Sequence, residues 1–154
     1  MKALRKWYVQ LALALLAALV LTVVLIILDR LEMGEEIFKT NVPGTTGEVQ
    51  TVTFDLEASD LTHVLEIKPD VESGWGEPDV YLLALLSDPD GRELVAVGSD
   101  VLFGGRVDSD DHGSRNYTKR FEFYPEAGGE YTLQIRTLSD HVEDVYITIG
   151  RRSK

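Results

Sequence analysis

The densest set of metal-type ligands in the chain is Asp108-Ser109-Asp110-Asp111-His112-Gly113. A hard cation such as Ca²⁺ is held by several carboxylate and carbonyl oxygens from one tight loop, and Asp108, Asp110 and Asp111 have the type and spacing to supply them. Set against an EF-hand loop, Asp108, Asp110 and Gly113 fall at the first, third and sixth positions. His112 stands at the fifth and Lys119 at the twelfth, where a bidentate Glu is required, so that motif fails. The segment reads as a solvated acidic loop, with a Ca²⁺ site of another kind as its alternative. No metal and no other cofactor is assigned.

Other chemistry has fewer carriers. His63, His112 and His141 are the only histidines, and no two stand at the close spacing by which one element usually holds a metal. His63 lies between apolar neighbours and reads as a structural histidine. The chain has no cysteine, so it has neither a thiol nucleophile nor a disulfide. None of its serines sits in a nucleophile elbow, and no glycine-rich phosphate loop opens a helix. No catalytic residue is assigned, and the chain is expected not to be an enzyme. Trp75, between Gly74 and Gly76, offers a rigid apolar face that could serve as a platform for a glycan or a protein; the alternative is a ring folded over the end of the core. Asn116-Tyr117-Thr118 is a glycosylation sequon, relevant only in a eukaryotic secretory pathway.

The elements that must carry these residues divide in two. The 154 residues hold 15 Lys and Arg against 26 Asp and Glu, a formal charge of −11. Lys2, Arg5 and Lys6 are the only charged side chains before Asp29, which makes residues 1–28 formally +3 and leaves −14 on the remainder. A body of that charge, with no basic stripe, repels phosphate, so nucleic acid is excluded as a partner. Leu11 to Leu28 are 18 residues, all apolar except Thr22, and Trp7, Tyr8 and Val9 extend the run. About 20 such residues match a bilayer core of roughly 30 Å. The expectation is a transmembrane helix over 7–28. A cleaved signal peptide is the competing reading, but its apolar region is shorter and ends at small residues, whereas this run ends in Ile26-Ile27-Leu28-Asp29. The positive-inside rule then keeps residues 1–6 cytoplasmic and exports the chain beyond Asp29 to a periplasmic or extracellular face. Ala14 and Ala18 are four apart and share one helix face, where small side chains would let another membrane helix approach.

Residues 29–47 read as a tether that contains a possible short strand at Ile37–Val42 and then the turn formers Pro43-Gly44-Thr45-Thr46-Gly47. Beyond it the apolar period is two. Val52, Phe54 and Leu56 alternate with Thr51, Thr53 and Asp55; Tyr131, Leu133 and Ile135 alternate with Thr132, Gln134 and Arg136; Val145, Ile147 and Ile149 alternate with Tyr146 and Thr148. Leu61, Leu65 and Ile67 are expected to share a face across His63, Val64 and Glu66. Tyr81–Leu86 is continuously apolar, as in a strand covered on both faces or packed against a partner. Ser87-Asp88-Pro89-Asp90-Gly91 then predicts a hairpin into Glu93–Val97. Arg115–Tyr124 supplies a further strand, with Tyr117, Phe121 and Phe123 on one face. Seven strands, eight with Ile37–Val42, predict an all-β, antiparallel, jelly-roll-like sandwich over 48–150, followed by a basic tail at 151–154.

The run from Tyr81-Leu82-Leu83 to Asp88-Pro89-Asp90-Gly91, then Phe121-Glu122-Phe123, Gly129-Glu130-Tyr131-Thr132-Leu133-Gln134-Ile135 and Val145-Tyr146-Ile147-Thr148-Ile149, resembles the bacterial pre-peptidase C-terminal domains and is similar to the GOLD-type sandwiches of membrane-trafficking proteins. The resemblance covers roughly residues 48–150. It implies a module used for binding or assembly rather than catalysis.

The expected function is that of a single-pass accessory or scaffolding subunit of a membrane complex, whose partners are the bilayer and either other membrane subunits or a second copy of itself. Trp75, Tyr81 and Leu83 are the candidate contact residues. The alternative is a membrane-tethered module that binds a glycan or Ca²⁺ through Trp75 or Asp108–Asp111. Homo-oligomerisation through Tyr81–Leu86 is a further expectation, because an apolar strand at a sheet edge invites pairing.

Overall fold

A computed structural model describes residues 14–27, 34–71, 78–104 and 117–152. Residues 14–27 form one α-helix, α1, with its side chains exposed throughout. Among the described residues no helix is long and apolar enough to cross a membrane. The described helix falls within the apolar run 11–28, and the rest of the expected span, residues 7–13 and Leu28, lies outside the described residues.

Nine strands come after it in the described chain: β1 Glu35–Pro43, β2 Val49–Leu56, β3 His63–Val71, β4 Val80–Ser87, β5 Glu93–Val97, β6 Leu102–Phe103, β7 Lys119–Phe123, β8 Gly129–Thr137 and β9 Val142–Arg151. They form two antiparallel sheets, a four-stranded one in the order β1-β9-β3-β7 and a five-stranded one in the order β2-β8-β4-β5, with β6 paired to β4 beside β5. Most connections pass from one sheet to the other, which is the wrapping of a jelly roll and makes most sheet neighbours distant in sequence.

The alternation in the sequence becomes the two faces of each strand. Tyr131, Leu133 and Ile135 of β8 meet Val145, Ile147 and Ile149 of β9 across the interior, with Leu82, Leu86, Leu65 and Ile67 beside them, all almost wholly buried. β-Branched and aromatic side chains on a pleated surface pack densely in this way, and each large one contributes about 1.5–3 kcal/mol by leaving water. Phe38, Phe54 and Tyr131 stack in a row, with ring centroids 5.0 Å and 6.2 Å apart.

Three expectations are corrected and one strand is added. The segment assigned to the tether contributes β1, which pairs with β9 from Glu35↔Arg151 to Pro43↔Asp144, so only residues 28–34 separate α1 from the first strand. Gly34 enters that strand at positive φ against the Arg151 carbonyl, a close approach that a Cβ would block. In β3 it is His63 that shares the inward face with Leu65 and Ile67, as the two-residue period requires, while Leu61 precedes the strand and is half-buried. β4 lies between β8 and the β5/β6 pair, so the Tyr81–Leu86 strand has no free edge with which to recruit a copy. Finally, β6 was unforeseen, since two residues carry no readable period.

Candidate functional site

The two outer faces of the sandwich differ in chemistry. On the four-stranded sheet, charged side chains pair across strands. On its outer face Arg120 on β7 donates from Nε to Glu66 Oε2 on β3 at 2.7 Å, and Arg152 bonds Glu122 of β7; Arg151 on β9, which stands opposite His63, bonds Glu35 on β1 at 2.6 Å at the end of the sheet. These pairs leave that face polar and satisfied largely within the chain.

The five-stranded sheet is different. β4 alternates strictly: Val80, Leu82, Ala84 and Leu86 are buried, while Tyr81, Leu83, Leu85 and Ser87 face outward and are half-buried. The register sets Leu85 opposite Ala96 of β5 and Gln134 of β8, Leu83 opposite Arg136, and Arg136 opposite Val49 of β2. Tyr81 pairs with Leu102 of β6 and accepts, at its carbonyl, the Leu138 N–H at 2.9 Å. An apolar strip therefore runs along β4, flanked by the uncharged Thr51, Thr53, Thr132 and Gln134. Val49, Leu83, Leu85 and Ala96, with Gln134, Arg136 and Glu93 at the rim, line an open depression of about 420 Å³. In a module whose formal charge is strongly negative, the acids on this face, Glu93, Glu130 and Asp55, gather at one end. Arg136, toward the other end, has no carboxylate partner among the described residues.

Of the residues singled out from sequence, Tyr81 and Leu83 stand together on this face. Ala14 and Ala18 lie on α1, where Thr22, the one polar side chain of the run, donates its hydroxyl to the Ala18 carbonyl at 2.9 Å. Trp75, Asp108, Asp110 and Asp111 lie outside the described residues. The chain on either side of those two segments is described, and it converges. Tyr117 donates its hydroxyl to the Pro78 carbonyl at 3.1 Å and packs so closely on Gly104 that a Cβ there would lie 2.6 Å from the ring. Sequence reasoning passed over Leu85, Ala96, Val49 and Arg136. Leu85 and Arg136 had the correct parity, but that they are neighbours depends on pairings between strands far apart in the chain.

His63 is a buried titratable group on β3. Its ring lies against Phe123 at 5.7 Å, and Nδ1 donates to the Leu61 carbonyl at 3.0 Å. Burial, and secondarily the Arg151 guanidinium, hold its pKa below the usual 6.5, with the Leu61 hydrogen bond opposing them. The unfolded chain takes up this proton at a higher pH than the folded one. Stability is therefore complete above about pH 6.5 and declines as the pH falls from there through the folded pKa. Thermal unfolding of the wild type and of His63→Gln across pH 5 to 8 is expected to show a smaller decline in the variant; parallel curves would exclude His63 as the source. Among the described residues no three His, Asp or Glu side chains converge on a point that could hold a metal, and no buried side-chain nitrogen or oxygen lacks a partner.

No family model matches the chain, and no curated protein matches it. Among solved structures it is similar to a protein from Sulfurospirillum deleyianum, at 13% identity and a TM-score of 0.42 over 77% of this chain and 99% of the other. It is also similar to the P-domain of Penaeus vannamei nodavirus, at 11% identity and a TM-score of 0.34 over 75% and 96% of the two chains. A xylan-binding domain from Paenibacillus barcinonensis matches at 10% identity and a TM-score of 0.35 over 80% and 92%. At these scores none carries a functional argument.

Proposed function

We propose that the chain is a non-enzymatic, single-pass membrane protein whose β-sandwich is an accessory or scaffolding subunit of a membrane complex, and that the outer face of the five-stranded sheet is its protein contact. The observation that carries this reading is the strip of Tyr81, Leu83, Leu85 and Ala96, uncharged and in large part half-covered, on a module that is otherwise acidic. Protein interfaces are depleted of charge at their centre and bounded by polar groups, and Arg136 and Glu93 supply such a rim. The opposite face, laced with its own ion pairs, offers no comparable surface among the described residues.

Membrane anchoring through residues 7–28 is part of the same proposal and rests on the sequence. It is supported by α1, whose leucines and isoleucines stand more than half exposed (Leu15 65%, Ile26 54%), an arrangement suited to lipid or to a neighbouring helix. The Thr22 to Ala18 hydrogen bond leaves no unsatisfied hydroxyl on its surface. The N-terminus is cytoplasmic and the sandwich exported in this reading, and kinship with the pre-peptidase C-terminal and GOLD-type modules belongs to it as well.

Native purification of the full chain and of Leu83→Asp/Leu85→Asp, with mass spectrometry of the product, tests the contact. Wild type is expected to retain a stoichiometric partner that the variant loses at least tenfold, with circular dichroism unchanged. A strict monomer with no co-purifying protein sinks the proposal. Heat released on titrating that monomer with Ca²⁺ or a glycan would favour the ligand-binding alternative instead.

A further inference from the structure

A β-sandwich has four edge strands, and three of those in this molecule are blunted. β1 carries Lys39 and Pro43 and is bulged between Glu36 and Phe38. β7 is five residues long and three of them, Lys119, Arg120 and Glu122, are charged. β5 is also five residues long, and its pairing with β4 slips between Leu86 and Ser87. Short strands, bulges, prolines and charges are the devices that keep sheet edges from pairing with another chain.

β2 has none of these. Its eight residues pair with β8 in one unbroken register, from Val49↔Arg136 to Leu56↔Gly129, with no proline and no lysine. Val49-Gln50-Thr51-Val52-Thr53-Phe54 is a run without charge, and Asp55 is the only ionised side chain of the strand. Among the described residues nothing pairs with its other edge. Every second residue of an edge strand turns its N–H and C=O away from the sheet, so this edge is a template for one more extended strand.

We propose that the occupant is β2 of a second copy, paired antiparallel about a two-fold axis at Val52. In that register Thr51 faces the partner's Thr53 and Gln50 faces the partner's Phe54, while Asp55 faces the partner's Val49. No two acids are opposed, which matters for two modules that otherwise repel, and Thr–Thr is among the favourable cross-strand pairs. The two five-stranded sheets become one continuous sheet, and the two apolar strips lie on the same side of it. A two-fold axis between antiparallel strands is perpendicular to the sheet. Two single-pass chains of like topology require an axis along the membrane normal, so the sheet would lie parallel to the bilayer. Residues 28–34, reaching at most about 25 Å when extended, permit that arrangement. The pairing stands on the strand edges alone; only this orientation rests on the anchoring proposed above.

The absence of cysteine makes the register directly testable in the full chain, in membranes. Thr51→Cys and Thr53→Cys, both on exposed outward positions, are co-expressed with different tags and oxidised. A mixed Thr51→Cys/Thr53→Cys disulfide dimer is expected, with each variant alone giving roughly tenfold less, because its cysteines are then diagonal rather than opposed. Thr51→Lys/Thr53→Lys sets lysines opposite one another and is expected to raise the dimer dissociation constant by about tenfold or more in analytical ultracentrifugation. Equal cross-linking from Lys39→Cys on β1, a dimer indifferent to the lysines, or a chain that stays monomeric overturns the inference. The mixed disulfide should still form in the Leu83→Asp/Leu85→Asp background, which removes the proposed contact but leaves the β2 edge untouched, so failure here is distinguishable from failure of the proposed function.

Discussion

Tyr131→Ala is expected to destabilise the sandwich by about 3–5 kcal/mol, a large share of the roughly 5–15 kcal/mol typical of a domain. Tyr131 is wholly buried on β8, the strand that joins β2 to β4, and its ring continues the Phe38–Phe54 stack at 6.2 Å. Truncation would open a cavity where both sheets and the β7–β8 turn meet, and close-packed neighbours fill such a space only in part. The hydroxyl is a separate contribution. It donates to the Ala127 carbonyl, four residues earlier, and holds the Pro125–Gly128 turn over the end of the core. Tyr131→Phe keeps the stack and loses that bond, so it should cost only about 1 kcal/mol. Denaturant unfolding monitored by circular dichroism reads both. Equal losses in the two variants would place the whole effect in the hydrogen bond and none in the packing.

Asp88→Ala is expected to cost about 2–4 kcal/mol, unusual for a residue in a hairpin turn. Its side chain is only 4% exposed and accepts three hydrogen bonds: from the Asp90 N–H at 3.0 Å, the Arg92 N–H at 2.8 Å and Arg92 Nε at 3.2 Å. Its backbone closes the turn as well, accepting from Gly91 N–H and donating to the Arg92 carbonyl, each at 2.9 Å. Removing the carboxylate leaves two amides to find other acceptors. Arg92 bridges onward to Glu126 at 2.9 Å, which ties the β4–β5 turn to the β7–β8 turn; both partners there are exposed, so this second bond adds little. Asp88→Asn can still accept from the amides and should lose less than half as much. The functional consequence is in the register, because this turn sets Leu85 opposite Ala96 on the outer face. Hydrogen exchange of the β4–β5 amides should accelerate in Asp88→Ala more than that of β3 and β9; uniform acceleration would mean that the turn does not control the register locally.

The legible part of this protein is what depends on near neighbours in the chain. The two-residue period of Tyr131–Ile135 and of Val145–Ile149 states which side chains enter a core, and the Asp88-Pro89-Asp90-Gly91 turn states that β4 folds back onto β5. Ile37–Val42 is readable as a strand, but not as a member of the sandwich, since only its pairing with β9, about a hundred residues away, makes it one. His63 is readable as structural, and its position two residues before Leu65 also gives it the parity of the inward face.

The apolar run at 11–28 and the division of charge around Asp29 are likewise written in composition alone, and the anchoring proposal needs nothing more. Sheet order is another matter. That Tyr81–Leu86 is central and Val49–Leu56 an edge, that Leu83 lies beside Arg136, and that Pro78, Gly104 and Tyr117 meet, are consequences of how the strands wrap. A strand's own residues state which of its faces is apolar. Which backbone edge is left unpaired is settled by the free energy of the whole packed core, because many strand orders satisfy the same local alternation and only their non-local contacts distinguish them.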